Sequence, residues 1–233
     1  MKILVTGATG FVGHALCGFL SACGHIVVPA IRHVSSLTGA VAVGNIDNTT
    51  NWTTALTGCD VVIHLAARVH VMRESATDPL AEFLKVNLHG TSNLARQAAC
   101  FGVRRLVYVS SIKVNGEQTS ATQSFTELDE PSPQDFYSIS KWQAEQALRH
   151  IAQETGLEIV IVRPPLVYPL RVKRGVEGDF ARVASAANCN PPCPPFTKGG
   201  RLSGCRTHVT RLIRATKLKS KMLIMYMIKP KML

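Results

Sequence analysis

Long apolar runs are missing from this sequence. Its 233 residues contain no uninterrupted apolar stretch of about 18 or more, the length a membrane-spanning helix needs. A leader peptide is not evident either, because the apolar start Met1–Val5 runs straight into glycines and reads better as a strand. The cysteines do not form a disulfide framework: there are seven, an odd number, at irregular spacings. Free thiols in a reducing cytoplasm are the expectation. Internal repeats are lacking. Acidic residues all but vanish after Tyr168. Up to that residue 12 Lys and Arg face 13 Asp and Glu, and from Pro169 onward 14 face 2. The formal charge of +11 therefore sits in the last 65 residues, and so sharp a jump marks an organisational boundary.

What is present before that boundary is a regular alternation. Lys2–Thr6, His25–Ile31, Ala40–Val43, Asp60–Leu65, Arg105–Ser110 and Leu157–Arg163 are short, rich in Val, Ile and Leu, and lack clean polar alternation. Strands buried on both faces read this way. Between them Phe11–Cys23, Trp52–Leu56, Pro79–Phe101 and Gln134–Thr155 carry helical spacing, and Gly24, Gly58, Gly102 and Gly156 each follow a helix where a left-handed residue ends it. The predicted fold is α/β: a Rossmann-type, doubly wound parallel sheet with helices on both faces.

The first strand leads into Thr6-Gly-Ala-Thr-Gly-Phe-Val-Gly13 and then a helix. Glycines there let the backbone approach a pyrophosphate, and the helix N-terminus attracts its charge. The spacing is G-x-x-G-x-x-G rather than G-x-G-x-x-G, and its place between strand and helix is what makes it a dinucleotide signal. The end of the second strand reads Ile31-Arg32-His33, with no acid to hold a ribose 2′-hydroxyl. Arg32 is either a receptor for a 2′-phosphate, which leaves NADP open beside NAD, or a solvated surface charge. Asn45-Ile46-Asp47 follows the third strand, where an amide and an apolar side chain can bracket an adenine.

Tyr137-Ser-Ile-Ser-Lys141 places a phenol and an ammonium on one helix face. A nearby cation is expected to lower a phenol pKa that is normally near 10. The alternative is an ordinary exposed pair. Position favours chemistry, because the preceding strand ends in Ser110-Ser111, and open α/β sheets bind ligands at the carboxyl ends of their strands.

These segments resemble the extended short-chain dehydrogenase/reductases of the nucleotide-sugar epimerase/dehydratase group. The matching pieces also include Asp60-Val-Val-Ile-His-Leu-Ala-Ala67, Val86-Asn-Leu-His-Gly-Thr91, Tyr108-Val-Ser-Ser111, Ala144-Glu145 and Arg163-Pro-Pro-Leu-Val-Tyr168, in order across roughly the first 180 residues. The nearest relatives implied are UDP-glucose and UDP-N-acetylhexosamine 4-epimerases and the related 4-reductases. The resemblance implies Tyr137 as catalytic base, Lys141 as its tuning partner on the nicotinamide ribose, and Ser111 on the reacting sugar oxygen, with Ser110 as fallback. It implies cofactor contacts at Gly7, Gly10, Phe11, Val12, Gly13, Arg32, Asn45, Ile46, Leu65, Ala66, Ala67, Asn87, Tyr137, Lys141 and Pro164. Substrate contacts fall at Ser111, Lys113 and Tyr137. Lys113 stands where many epimerases have Thr, and Leu166 where Asn is common. A homodimer through the long helices 79–101 and 134–155 is implied as well.

The expected division is a dinucleotide-binding domain over 1–168, then a substrate-domain remnant with a basic, poorly ordered tail over 169–233. The likeness fades after Val183, and a truncated chain with an altered terminus is the expectation. Asn190-Pro-Pro-Cys-Pro-Pro195 cannot be regular structure. Cys189, Cys193, Cys205 and His208 fit no common zinc spacing, so no metal site is expected. The tail's charge allows contact with nucleic acid or an anionic membrane, on which the apolar Met222–Ile228 could lie. Residues 184–233 hold one Phe and one Tyr, too few to stack nucleobases.

Overall fold

The computed structural model describes residues 1–33, 37–69, 77–118, 124–165, 167 and the strand Ile224–Met225. The chain divides into two units, Met1–Val167 with Met222–Leu233 and Tyr168–Lys221. The second unit lies outside the described residues, as do Leu166, the proline cluster and the Cys/His set of the tail.

Six parallel strands come from the first 165 residues: β1 (Lys2–Thr6), β2 (Ile26–Ile31), β3 (Val41–Ala42), β4 (Val61–His64), β5 (Arg105–Val109) and β6 (Glu158–Val162). A two-residue β7 (Ile224–Met225), inside the apolar segment Met222–Ile228, pairs in parallel with β6. The order is β3-β2-β1-β4-β5-β6-β7. The chain leaves β1 toward β2 on one side and returns to β4 on the other. The strand order therefore reverses between β1 and β4, the place where such sheets open a crevice. Leu4, Val62, Leu106 and Ile159 form one buried row through the sheet and meet Trp52, Leu94, Ala98, Ala144 and Leu148 from the helices.

The helices are α1 (Phe11–Ala22), α2 (Thr53–Leu56), α3 (Pro79–Leu84), α4 (Thr91–Cys100) and α5 (Phe136–Thr155). The sequence predicts α5 from Gln134, but it begins at Phe136. Asp135 is its N-cap, accepting from Ser138 N at 2.6 Å, and the Ser138 hydroxyl closes the reciprocal half of a capping box. The predicted single helix 79–101 is interrupted. Lys85–Gly90 forms a wider π turn between α3 and α4. It turns Asn87 inward, and Gly90 passes Ile46, whose side chain a Cβ would approach to 2.6 Å. No helix among the described residues is long and apolar enough to cross a membrane.

Candidate active site at the carboxyl edge of the sheet

Every strand from β1 to β6 is followed within three residues by one that the sequence marks. Gly7 follows β1, Arg32 β2, Asn45 β3, Leu65 β4, Ser111 β5 and Pro164 β6. Because all six strands run the same way, these residues share one edge of the sheet.

At the switch point, Gly7 has φ +65°, and a Cβ there would meet Ala66 N at 2.9 Å. A side chain would thus be strained and would push the β4 loop away. Gly13 is buried against the Gly7 backbone, with Gly7 C at 2.8 Å from a Cβ position. Gly10 is the N-cap of α1 and makes no side-chain cap bond, and the first turn holds no acid. Phe11 and Val12 beside it are exposed. The result is a tight turn against a helix start whose N–H groups are not capped by a side chain, which fits an incoming pyrophosphate.

His64 holds this turn in place. Its Nδ1 lies 2.6 Å from Thr6 Oγ1 and its Nε2 2.9 Å from Thr91 Oγ1. Thr6 Oγ1 also accepts from Leu65 N at 3.2 Å and Ala66 N at 3.1 Å. With its acceptor sites so used, the Thr6 hydroxyl donates to Nδ1, and Nε2–H donates to Thr91. Burial pushes the imidazole pKa down to about 3, and the Lys141 charge adds to the shift, so the ring is neutral. His64 escapes sequence reasoning because it sits in an apolar strand and touches residues 27 and 58 positions away.

Asn45 and Ile46 lie in a loop clamped by α4. Thr50 Oγ1 donates to Asn45 O at 2.8 Å, while Asn93 and Gln97 reach Thr50 O at 2.8 and 2.9 Å. Arg32 is exposed at the end of β2. Asn87 is buried, and its amide nitrogen donates to Arg68 O at 3.0 Å and to Ser140 Oγ at 2.9 Å. Its oxygen accepts from Arg68 N at 2.8 Å. Both amide hydrogens are thus engaged in tying the Leu65–Arg68 segment to α5.

Tyr137 opens α5 and Lys141 lies one turn later. The Lys141 ammonium is 5.9 Å from the Tyr137 ring centroid and 4.3 Å from that of Tyr108, and it donates to Val109 O at 2.7 Å. Val109 is two residues before Ser111, so the Lys141 ammonium, beside the Tyr137 ring, is fixed to the end of the strand that leads to that serine. Ser110 is buried and donates to Glu145 at 2.5 Å, whereas Ser111 is half-buried and, among the described residues, its hydroxyl oxygen accepts from Lys113 N at 3.3 Å. The arrangement favours Ser111 over Ser110 as the serine facing outward. Pro164 O accepts from Ile112 N at 3.0 Å and holds the turn after Ser111. Lys113 does not stand free: its ammonium pairs with Asp135 at 2.7 Å and Glu117 at 3.0 Å.

The protonation states differ from the sequence expectation. Burial raises the Tyr137 pKa, Asp135 raises it further, and only Lys113 opposes them. Lys141 is itself pulled down to about 7 by burial, with Glu145 opposing. The reason is geometric. The Lys141 ammonium is committed to a backbone carbonyl and the Tyr108 face, so its charge does not offset the burial of the Tyr137 phenol.

Residues 3–203 match the model of the NAD dependent epimerase/dehydratase family. The chain is 40% identical over 196 residues to the UDP-glucose 4-epimerase of Vibrio cholerae, covering 83% of this chain and 58% of that protein. A short-chain dehydrogenase/reductase superfamily protein from Agrobacterium tumefaciens, solved with bound NAD, superposes with a TM-score of 0.62 at 30% identity, over 70% of this chain and 49% of that one. The protein MoeE5, solved with UDP-glucose and NAD, superposes with a TM-score of 0.60 at 30% identity, over 70% and 54%. The chain spans about three-fifths of the length of the curated relatives it matches. With the family model matching most of the sequence, the chain belongs to the NAD dependent epimerase/dehydratase family.

Proposed function

We propose that the chain is an NAD-dependent nucleotide-sugar 4-epimerase that acts on a UDP-hexose or UDP-N-acetylhexosamine through a transient 4-keto sugar. The observation that carries this reading is Lys141 beside the Tyr137 ring and bonded to Val109 O, two residues before Ser111, at the sheet edge that also carries an uncapped glycine turn. Its support from outside is the 40% identity to an epimerase of that kind.

The turn Gly7–Gly13 holds the pyrophosphate on the N–H groups of the first turn of α1. Ile46 and Asn45 flank the adenine, Leu65–Ala67 line the middle of the cleft, and Lys141 binds the nicotinamide ribose. The dinucleotide supplies the hydride acceptor and donor. Ser111 hydrogen-bonds the sugar C4 oxygen, and Tyr137 takes its hydroxyl proton and returns it after the sugar turns over. Burial and Asp135 raise the phenol pKa, so Tyr137 would have to lose its own proton to solvent before it accepts the sugar's, and the positive charge of a bound oxidised nicotinamide would favour that loss. NAD is the proposed cofactor, with Arg32 leaving NADP open. The long helices are the proposed dimer face. Within one chain, α4 and α5 already lie side by side, with Arg96 and Glu154 paired at 2.9 Å across them. The free thiols of Cys17, Cys59 and Cys100 suit the cytoplasm as location.

The test incubates the purified chain with NAD and a panel of UDP-sugars. The sugar produced and the reduced-nicotinamide absorbance are both followed. Sugar isomerised without accumulating reduced cofactor is the expected result, and Tyr137→Phe lowers the rate by about 100-fold or more. Reduced cofactor that accumulates would assign a 4-reductase or dehydratase instead. Binding without turnover would assign a dinucleotide-binding fragment. Full activity of Tyr137→Phe would refute the mechanism.

A further inference from the structure

We propose that Glu145 is a positioning residue that sets this site from behind. Its carboxylate locks Ser110, so that Ser111 is the serine presented, and it supplies the negative charge that offsets the buried Lys141 ammonium. This inference rests on the reading of Tyr137, Lys141 and Ser111 as the reacting set.

Glu145 lies on α5 one turn beyond Lys141 and two beyond Tyr137, on the same helix face. Its side chain has no exposed surface. Oε1 accepts from Ser110 Oγ at 2.5 Å and from Arg163 Nε at 2.9 Å. Oε2 accepts from Arg163 Nη2 at 2.5 Å and from Arg149 Nη2 at 3.2 Å. The carboxylate thereby joins the ends of β5 and β6 to the helix that carries the phenol and the ammonium. Arg163, also buried, continues to Asn115 Oδ1 at 2.9 Å, and Asn115 Nδ2 donates to Thr126 O at 3.1 Å. Val109 O is held by Lys141, the Ser110 hydroxyl by Glu145 and Ser110 N by Val162 O at 2.7 Å. The backbone around Ser111 has little freedom left.

A buried ion pair of this kind adds little net stability, because desolvating two charges offsets their attraction. What it does here is specify geometry and field. The groups facing Lys141 are Tyr108 from β5, neutral His64 from β4, and Tyr137 and Glu145 from its own helix. Arg149 and Arg163 share the carboxylate and are the nearby cations it also serves. Glu145 is the one carboxylate acting on Lys141 among the described residues, and it opposes the loss of proton affinity that burial causes.

The test reads Lys141 directly in the ligand-free protein, by NMR titration of ε-13C-labelled lysine. The Lys141 signal is identified by its loss in Lys141→Met. Glu145→Gln alone strands the Arg163 charge, so the informative variant is Glu145→Gln with Arg163→Met, which removes both charges and keeps the Ser110 acceptor. The Lys141 midpoint is expected to fall by one pH unit or more, a tenfold loss of proton affinity. A folded double variant with an unchanged midpoint overturns the electrostatic part. Ser110→Ala, a small change that needs no compensation, tests the other part. We expect kcat to fall tenfold or more with KM and Tm little changed, and an unchanged kcat overturns it. The titration needs neither cofactor nor turnover, so its failure is distinct from failure of the proposed activity.

Discussion

Acidification between neutral pH and pH 4.5 should destabilise the fold through His64 alone among its strongly shifted groups. The imidazole pKa falls from 6.5 to about 3 on burial. A depressed folded pKa means that protons bind the unfolded chain preferentially between these values. The stability linked to His64 is therefore complete above about pH 6.5 and is lost as pH falls toward 3. At 1.36 kcal/mol per unit the whole effect is about 5 kcal/mol, and the part between pH 7 and 4.5 is about 2–3 kcal/mol. Asp47, Asp129 and Asp135, whose pKa values are lowered by hydrogen bonds and, at Asp135, by Lys113, contribute their losses only below about pH 4. His25, lowered by burial and the terminal charge, shifts in the same direction but is common to wild type and variant. The assay is urea unfolding of wild type and His64→Gln at both pH values. Gln can still accept from Thr6 and donate to Thr91, but it cannot titrate. Wild type should lose about 2–3 kcal/mol more than the variant on acidification. An equal loss in the two proteins would refute a neutral, buried His64 bridging β1 and α4.

Three further outcomes are expected. Gly13→Ala drives a Cβ into the Gly7 backbone, which has no flexible side chain to yield, so it should cost about 1–3 kcal/mol by urea unfolding and abolish NAD binding by titration calorimetry. Arg32→Asp should lower the NADP-to-NAD affinity ratio by about tenfold or more, and an unchanged ratio would assign Arg32 to the solvated surface. Lys141→Met should remove activity yet stabilise the protein near pH 7 by about 1–3 kcal/mol, the cost of the buried charge less the lost bond to Val109 O. Because burial depresses the lysine pKa to about 7, wild-type stability rises from there toward pH 10.5, and the variant's advantage should shrink over that range in paired urea curves.

The frame of this fold was legible because its signals are local. Buried strands advertise themselves by Val and Ile runs, and Gly24, Gly58, Gly102 and Gly156 all have the positive φ that ending a helix with glycine requires. The glycine turn and the Tyr137–Lys141 spacing likewise depend only on neighbours in the chain. Other features depend on partners distant in sequence. The signals of the π turn at Lys85–Gly90, Asn87 and Gly90, acquire meaning only against Arg68, Ser140 and Ile46. The partner that turns Ser110 inward, Glu145, is 35 residues away from it.

Protonation was the least legible property, and the Tyr137–Lys141 pair shows why. An i, i+4 spacing fixes where two side chains leave the helix, not where their polar ends point. Lys141 turns to the end of β5, and burial then raises one pKa and lowers the other. Both shifts favour the uncharged forms, as burial always does. A site built this way disfavours charge on its own phenol and ammonium. The same physics explains why Glu145 has to be buried: a counter-charge in solvent would be screened, whereas one turn along α5 it acts on Lys141 through protein alone.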